Sequence, residues 1–135
     1  MTRYLLASLA SGILFVGMDV LINANPLAQR LHQGYAAIAR KSMNPIPATL
    51  IDLAYGFIIA GLYLLLRPAL PGSTVLAKAV SFALILWVLR VVMTAVTHWV
   101  MFDLPGSAHM HDIAAGFLEM LVISAACALI LGPAR

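Results

Sequence analysis

Several residues that could do chemistry lie where they are most expensive, inside long apolar runs. Asp19 falls in the run Tyr4–Ala24, Asp52 in Ala48–Leu66, Arg90 and His98 in Leu76–Phe102, and Glu119 in Ile113–Leu131. Ionisable groups within such stretches are rare because hydrocarbon does not solvate them. They face a protein interior or a water-filled cavity, and they mark ion pathways and ligand sites. Asp19, Asp52 and Glu119 supply three negative charges against one dependable cation, Arg90. The expected direct pair is Arg90 with Glu119. The other two carboxylates cannot stay ionised and unpaired in low dielectric. They must hold protons, be balanced by a charged His98, or bind a cation.

Helical phase places these groups together. At 3.6 residues per turn, Ser8, Gly12, Asp19 and Asn23 share a stripe on the first run. Asp52, Gly56 and Tyr63 share one on the second, with Tyr55 beside Gly56. Arg90, Thr94, Thr97 and Met101 do so on the third, with His98 at its edge, and Asp112, Gly116 and Glu119 on the fourth, flanked by Ala115. Small-and-polar faces of this kind let helices approach closely and hydrogen-bond across the contact. Depth adds an independent coincidence. At about 1.5 Å per residue, Asp19, Asp52 and His98 lie roughly 6–9 Å from the same end of their runs, Glu119 about a turn deeper, and Arg90 near the middle. The expected ligand-binding set is therefore Asp19, Asn23, Asp52, Tyr55, Arg90, Thr94, His98 and Glu119. The competing reading is that these residues only tie helices together.

A second group invites a metal. His109-Met110-His111-Asp112 follows His98, Met101 and Asp103 across a turn. Imidazole, carboxylate and thioether suit copper or zinc in different combinations, and the candidate ligands are His98, His109, His111 and Asp112. The ordinary reading of a His-x-His pair is a solvated loop. Haem is less favoured, since no Cys-x-x-Cys-His is present. Gly-x-Ser-x-Gly, His-Glu-x-x-His and a phosphate-cradling glycine loop are also absent. The sequence requires no cofactor and leaves a divalent metal open.

The elements that must position these residues follow from composition. Of 135 residues, 63% are hydrophobic and 10% charged, against about 25% charged in a soluble domain. A soluble fold this small could not bury that much apolar surface, so lipid is the expected surrounding. Each run is near or above the ~20 residues that cross a bilayer as a helix. The fold expected is all-α, an integral membrane four-helix bundle in one domain, residues 1–135. Breakers delimit the spans: Asn25-Pro26, Pro45 and Pro47, Arg67-Pro68 to Pro71-Gly72, and Leu104-Pro105-Gly106. Between spans one and two, Leu27, Leu31, Tyr35 and Ile38 recur at helical spacing. That spacing predicts a short amphipathic interfacial helix within residues 26–44. The first run is too long for a signal-peptide core and is read as a retained span. The single cysteine, Cys127, excludes thiol-disulfide chemistry between two cysteines of one chain, and no Lys/Arg-rich aromatic surface suggests nucleic acid.

Arg3, Arg67, Lys78 and Arg135 gather at one end of the spans, Arg30, Arg40 and Lys41 at the other. The rule that Lys and Arg mark the cytoplasmic side places both termini inside by a narrow margin. The chain resembles small bacterial inner-membrane proteins grouped only as domains of unknown function. The likeness rests on Gly17-Met18-Asp19-Val20, on Asp52-Leu53-Ala54-Tyr55-Gly56 opening span two, on Tyr35 and Pro45 in the connection, and on the Arg67-Pro68-Ala69-Leu70-Pro71-Gly72 turn. It implies a multi-pass protein of the bacterial cytoplasmic membrane and no particular activity. The function expected from the residues is binding or transport of a proton, cation or small polar ligand in an intramembrane pocket. A membrane-embedded metal-dependent enzyme and an accessory subunit of a membrane complex stand as alternatives. The partners expected are the bilayer and either a second copy of the chain or another membrane protein.

Overall fold

A computed structural model describes residues 1–37 and 44–132, and no strand occurs among them. Four helices are long and apolar enough to span a membrane: α1 (Thr2–Asn23), α3 (Pro45–Leu66), α4 (Val75–Met101) and α5 (Gly106–Leu131). A short helix, α2 (Pro26–Leu31), follows α1 and runs on into a 3-10 segment, His32–Ala37. The helix starts are set by side chains that accept otherwise orphaned backbone N–H groups. Asn25 accepts from Ala28 at 2.8 Å, Asn44 from Ile46 at 3.0 Å and Thr74 from Ala77 at 3.1 Å. Pro26 and Pro45 occupy first-turn positions, where a missing N–H costs nothing.

The principal contacts run α3 to α1, α1 to α5, and α5 to α4. The closest approach is made by glycines. A Cβ on Gly56 would collide with the Ser8 carbonyl and the Gly12 backbone, so α1 and α3 touch main chain to main chain. Phe15, Tyr63, Phe82, Met120, Ile123 and Cys127, drawn from all four long helices, form a fully buried core. Tyr63 and Phe82 meet edge to face, ring centroids 5.3 Å apart. Large apolar side chains also cover the outside: Leu65, Val100 and Leu129 are about three-quarters exposed. Water would penalise that surface and lipid would not.

At one end the bases act as staples. Arg67 Nη1 donates to the carbonyls of Leu131 (3.0 Å) and Gly132 (3.4 Å). Lys78 Nζ donates to the Arg67 carbonyl at 2.7 Å, with that of Leu70 3.5 Å away. These carbonyls end helices or cross the α3–α4 turn, so the cations satisfy acceptors that helix geometry leaves orphaned.

Three expectations about elements change. Within the connection, described through residue 37 and from residue 44, the helix covers only Pro26–Leu31 and tightens to 3-10 at His32. Ile38, Arg40 and Lys41 lie outside the described residues. The last helix begins at Gly106 rather than Ile113, because Pro105 is its N-cap residue instead of closing a longer loop. Finally, α4 contains a π-helical stretch, Trp87–Val92. There Trp87 Nε1 donates to the Ile113 carbonyl at 2.9 Å, joining α4 to α5.

Candidate functional site

The π-helical stretch positions the first functional group. Its i→i+5 hydrogen bonding adds a residue to the turn and sets Arg90 toward α5. Arg90 Nη1 donates to Glu119 Oε2 at 3.1 Å. The guanidinium carbon also sits 4.6 Å from the Phe15 ring centroid and 5.0 Å from that of Tyr55. Residues of the other three long helices thus surround the Arg90 cation, and the two aromatic faces favour it by cation–π attraction. Glu119 is only 4% exposed, and its Oε1 has no hydrogen-bond partner among the described residues.

Above this pair opens a cavity of about 790 Å³. Asp19 and Asn23 line it from α1, Tyr55 from α3, Arg90, Thr94 and His98 from α4, and Asp112, Gly116 and Glu119 from α5. Gly116 is small by necessity, since a Cβ there would strike the Val91 side chain. Of the eight residues expected to form the ligand set, seven line this one cavity. Asp52 does not: it is buried on α3 outside the lining, although the charges of Asp19 and Arg90 reach it. Its position beside Gly56 turns it toward the tight α1–α3 contact.

The third-run stripe is redrawn by the π turn. Thr97 and Met101, expected on the polar face, are exposed. Arg90, Thr94 and His98 keep the cavity side, and Val91 and Ala95 join them there. Thr97 Oγ1 donates back to the Met93 carbonyl at 2.8 Å, a local bond that leaves the cavity untouched.

The connection between α1 and α3 contributes part of the wall. Gln29, His32 and Tyr35 all line the cavity. His32 Nε2 lies 2.8 Å from Asp112 Oδ1, and Tyr35 Oη lies 3.0 Å from His98 Nδ1. Phe102 stacks edge-on to both Tyr35 and His98. Two polar contacts, one to α5 and one to α4, thereby fasten the segment against the helices. Burial, and secondarily the charge of Asp112, raises the Tyr35 hydroxyl above its ordinary pKa of 10.0, so it remains a neutral hydrogen-bonding group.

The four expected metal ligands divide. His111 and Asp112 stay together, with Nδ1 and Oδ1 3.5 Å apart. His98 is engaged with Tyr35. His109 is buried, and neither ring nitrogen has a partner among the described residues. The reason is helical phase: with α5 starting at Gly106, residues 109 and 111 are about 200° apart around the axis and cannot share a ligand. His32 joins the group instead, and the ligand atoms of His32, His111 and Asp112 all lie within 4.8 Å of one another. Sequence reasoning missed His32 because it falls in the short connection, where no helical period relates it to the spans.

No protein-family model, curated protein or solved structure matches the chain. The chemistry of the site must therefore be read from its own groups. Arg90 neutralises one of the three carboxylates that line the cavity, and His32 contacts a second. The Asp19 carboxylate makes no side-chain hydrogen bond among the described residues, the residue's bond being accepted by its backbone carbonyl from Asn23. Asp19 and Glu119 both line the cavity; the Asp19 carboxylate has no protein donor among the described residues, and Glu119 Oε1 is buried without one.

Proposed function

We propose that this is a multi-pass protein of the bacterial cytoplasmic membrane, both termini inside, whose cavity binds a small polar ligand carrying a positive charge or several N–H or O–H donors. The observation that carries the reading is that two carboxylates from different helices, Asp19 and Glu119, line one cavity, and Glu119 Oε1 is buried with no donor among the described residues. A helix tie alone would give the buried Glu119 Oε1 a protein donor, because an unsatisfied buried acceptor costs about 1–3 kcal/mol. A cavity of about 790 Å³ falls within the range of small-molecule sites, about 300–1,000 Å³. The aromatic faces of Phe15 and Tyr55 are already occupied by Arg90, so the incoming cation would meet the carboxylates rather than the rings.

The experiment is a thermal-shift screen of the detergent-purified chain against small amines, with choline, putrescine and guanidinium as probes. A ligand present at 100 times its Kd stabilises by about 2.7 kcal/mol, which is readily seen as a rise in Tm. The expected result is a rise for the natural chain that Asp19→Asn abolishes while leaving the unliganded Tm within a degree or two. If Asp19→Asn lowers the unliganded Tm and no amine shifts either protein, the residues are helix ties and the proposal fails.

A further inference from the structure

Beyond the cavity floor, the geometry points to a divalent transition-metal site at the cavity mouth, formed by His32 Nε2, His111 Nδ1 and Asp112 Oδ1. Two imidazoles and a carboxylate are the donor set that borderline ions of the Zn²⁺ and Co²⁺ class prefer. The distances suit it. Metal bonds of about 2.0–2.2 Å place neighbouring ligand atoms of a tetrahedron roughly 3.4 Å apart. Here Asp112 Oδ1 lies 2.8 Å from His32 Nε2 and 3.5 Å from His111 Nδ1, and the three atoms fall within 4.8 Å of one another. Closing onto an ion needs movements of about an ångström or less.

A plain His32–Asp112 hydrogen bond accounts for one of these contacts but not for the third member. His111 turns its Nδ1 to the same carboxylate oxygen that His32 approaches, and the two imidazoles meet edge to face with centroids 5.8 Å apart. Two nitrogens converging on one carboxylate oxygen from separate elements leave a common point that a cation can share. The surroundings favour it too, since all three residues are partly buried, which limits competition from water. Tyr35, three residues beyond His32, is held by His98, so the connection is fixed just past the ligand. Three protein ligands leave at least one coordination position for water or another molecule, and His32 and Asp112 both line the cavity. The ion would clamp the connection to α5 across the mouth. The site does not depend on amine binding at Asp19 and Glu119.

The test uses the full chain, purified in detergent with any affinity tag removed, titrated with Co²⁺ and then competed with Zn²⁺. The expected result is one equivalent of Co²⁺ with visible d–d absorption, displaced by one equivalent of Zn²⁺. His32→Ala and His111→Ala should each weaken binding tenfold or more, given that loss of even an outer-shell partner costs about 10–100-fold. His109→Ala should bind as the natural chain does. His32 lies outside the four long helices, so His32→Ala should keep its far-UV circular dichroism and decides the matter if His111→Ala fails to fold. Absence of stoichiometric Co²⁺ binding, or unchanged binding in His32→Ala, would overturn the site. Either result leaves the amine screen unaffected.

Discussion

Arg90 and Glu119 form the floor of the cavity, an ion pair of 3.1 Å in which the carboxylate is buried and the guanidinium is one-third exposed. Removing one partner should be far worse than removing both. Arg90→Met strands a buried carboxylate, which must then take a proton or draw water inward. Breaking a fully buried pair costs about 3–5 kcal/mol, and partial exposure of Arg90 should bring this case toward the lower figure. The double variant Arg90→Met/Glu119→Gln should recover most of the loss. Thermal denaturation of the three proteins in one detergent checks this, and equal destabilisation by the single and double changes would contradict it.

The α1–α3 contact makes a second, independent prediction. Gly56 has no room for a side chain against Ser8 and Gly12, whereas nothing lies within 4 Å of a Cβ built on Gly17. Gly56→Leu should therefore separate the two helices and cost at least the ~1–3 kcal/mol typical of overpacking. Gly17→Ala, on the partner helix α1, should be neutral or stabilise by up to about 1 kcal/mol through helix propensity. The pair of melting curves distinguishes a specific close approach from a general intolerance of larger residues.

What the sequence disclosed and what it hid divide along physical lines. The Arg90–Glu119 pair and the shared cavity of Asp19 and Glu119 were legible because a regular helix fixes both phase and depth. Legibility failed wherever the backbone left that regularity. Nothing in Trp87–Val92 announces a π turn, so regular helical phase puts Thr97 and Met101 on a face they do not occupy. Pro105-Gly106 reads equally as a turn or as a helix start, and the choice decided whether His109 and His111 could cooperate. His32 was invisible because the 3-10 segment that aims it carries no sequence period. Asp52 shows the remaining limit: a stripe predicts which way a residue points, not which neighbour has closed the space before it.

The segment over the cavity mouth should loosen when its Tyr35–His98 contact is lost. Tyr35→Phe removes a hydroxyl but keeps the aromatic packing on Phe102, so the expected cost is about 1 kcal/mol. It should appear as roughly fivefold faster hydrogen exchange confined to residues 26–37. Alkali should act on the same contact. The folded pKa of Tyr35 is raised above 10.0 by burial and then by Asp112. Its contribution is therefore whole below pH 10 and is lost as pH rises through the folded value. Exchange in the segment should accelerate above pH 10 relative to the core helices in the natural chain and lose that extra dependence in Tyr35→Phe.

Orientation in the bilayer is the last prediction. Gln33 and Ser107 are exposed at the end that holds the cavity mouth, where His32 meets Asp112, and Ser73 is exposed in the turn between α3 and α4 at the opposite end. Arg67 and Lys78 are fastened to helix-end carbonyls at that opposite end, so their charges stay beside the span ends, within the reach over which basic residues set topology. With Arg3 they should hold the Ser73 end in the cytoplasm and open the cavity to the outer side. Single cysteines at positions 33, 73 and 107 can be labelled in intact cells with a membrane-impermeant maleimide, since Cys127 is buried. Labelling at 33 and 107, with 73 reacting only after the membrane is opened, is the expected pattern. Labelling of 73 alone would invert the chain and turn the cavity toward the cytoplasm. The carboxylates at Asp19 and Glu119 would then meet cytoplasmic rather than external cations.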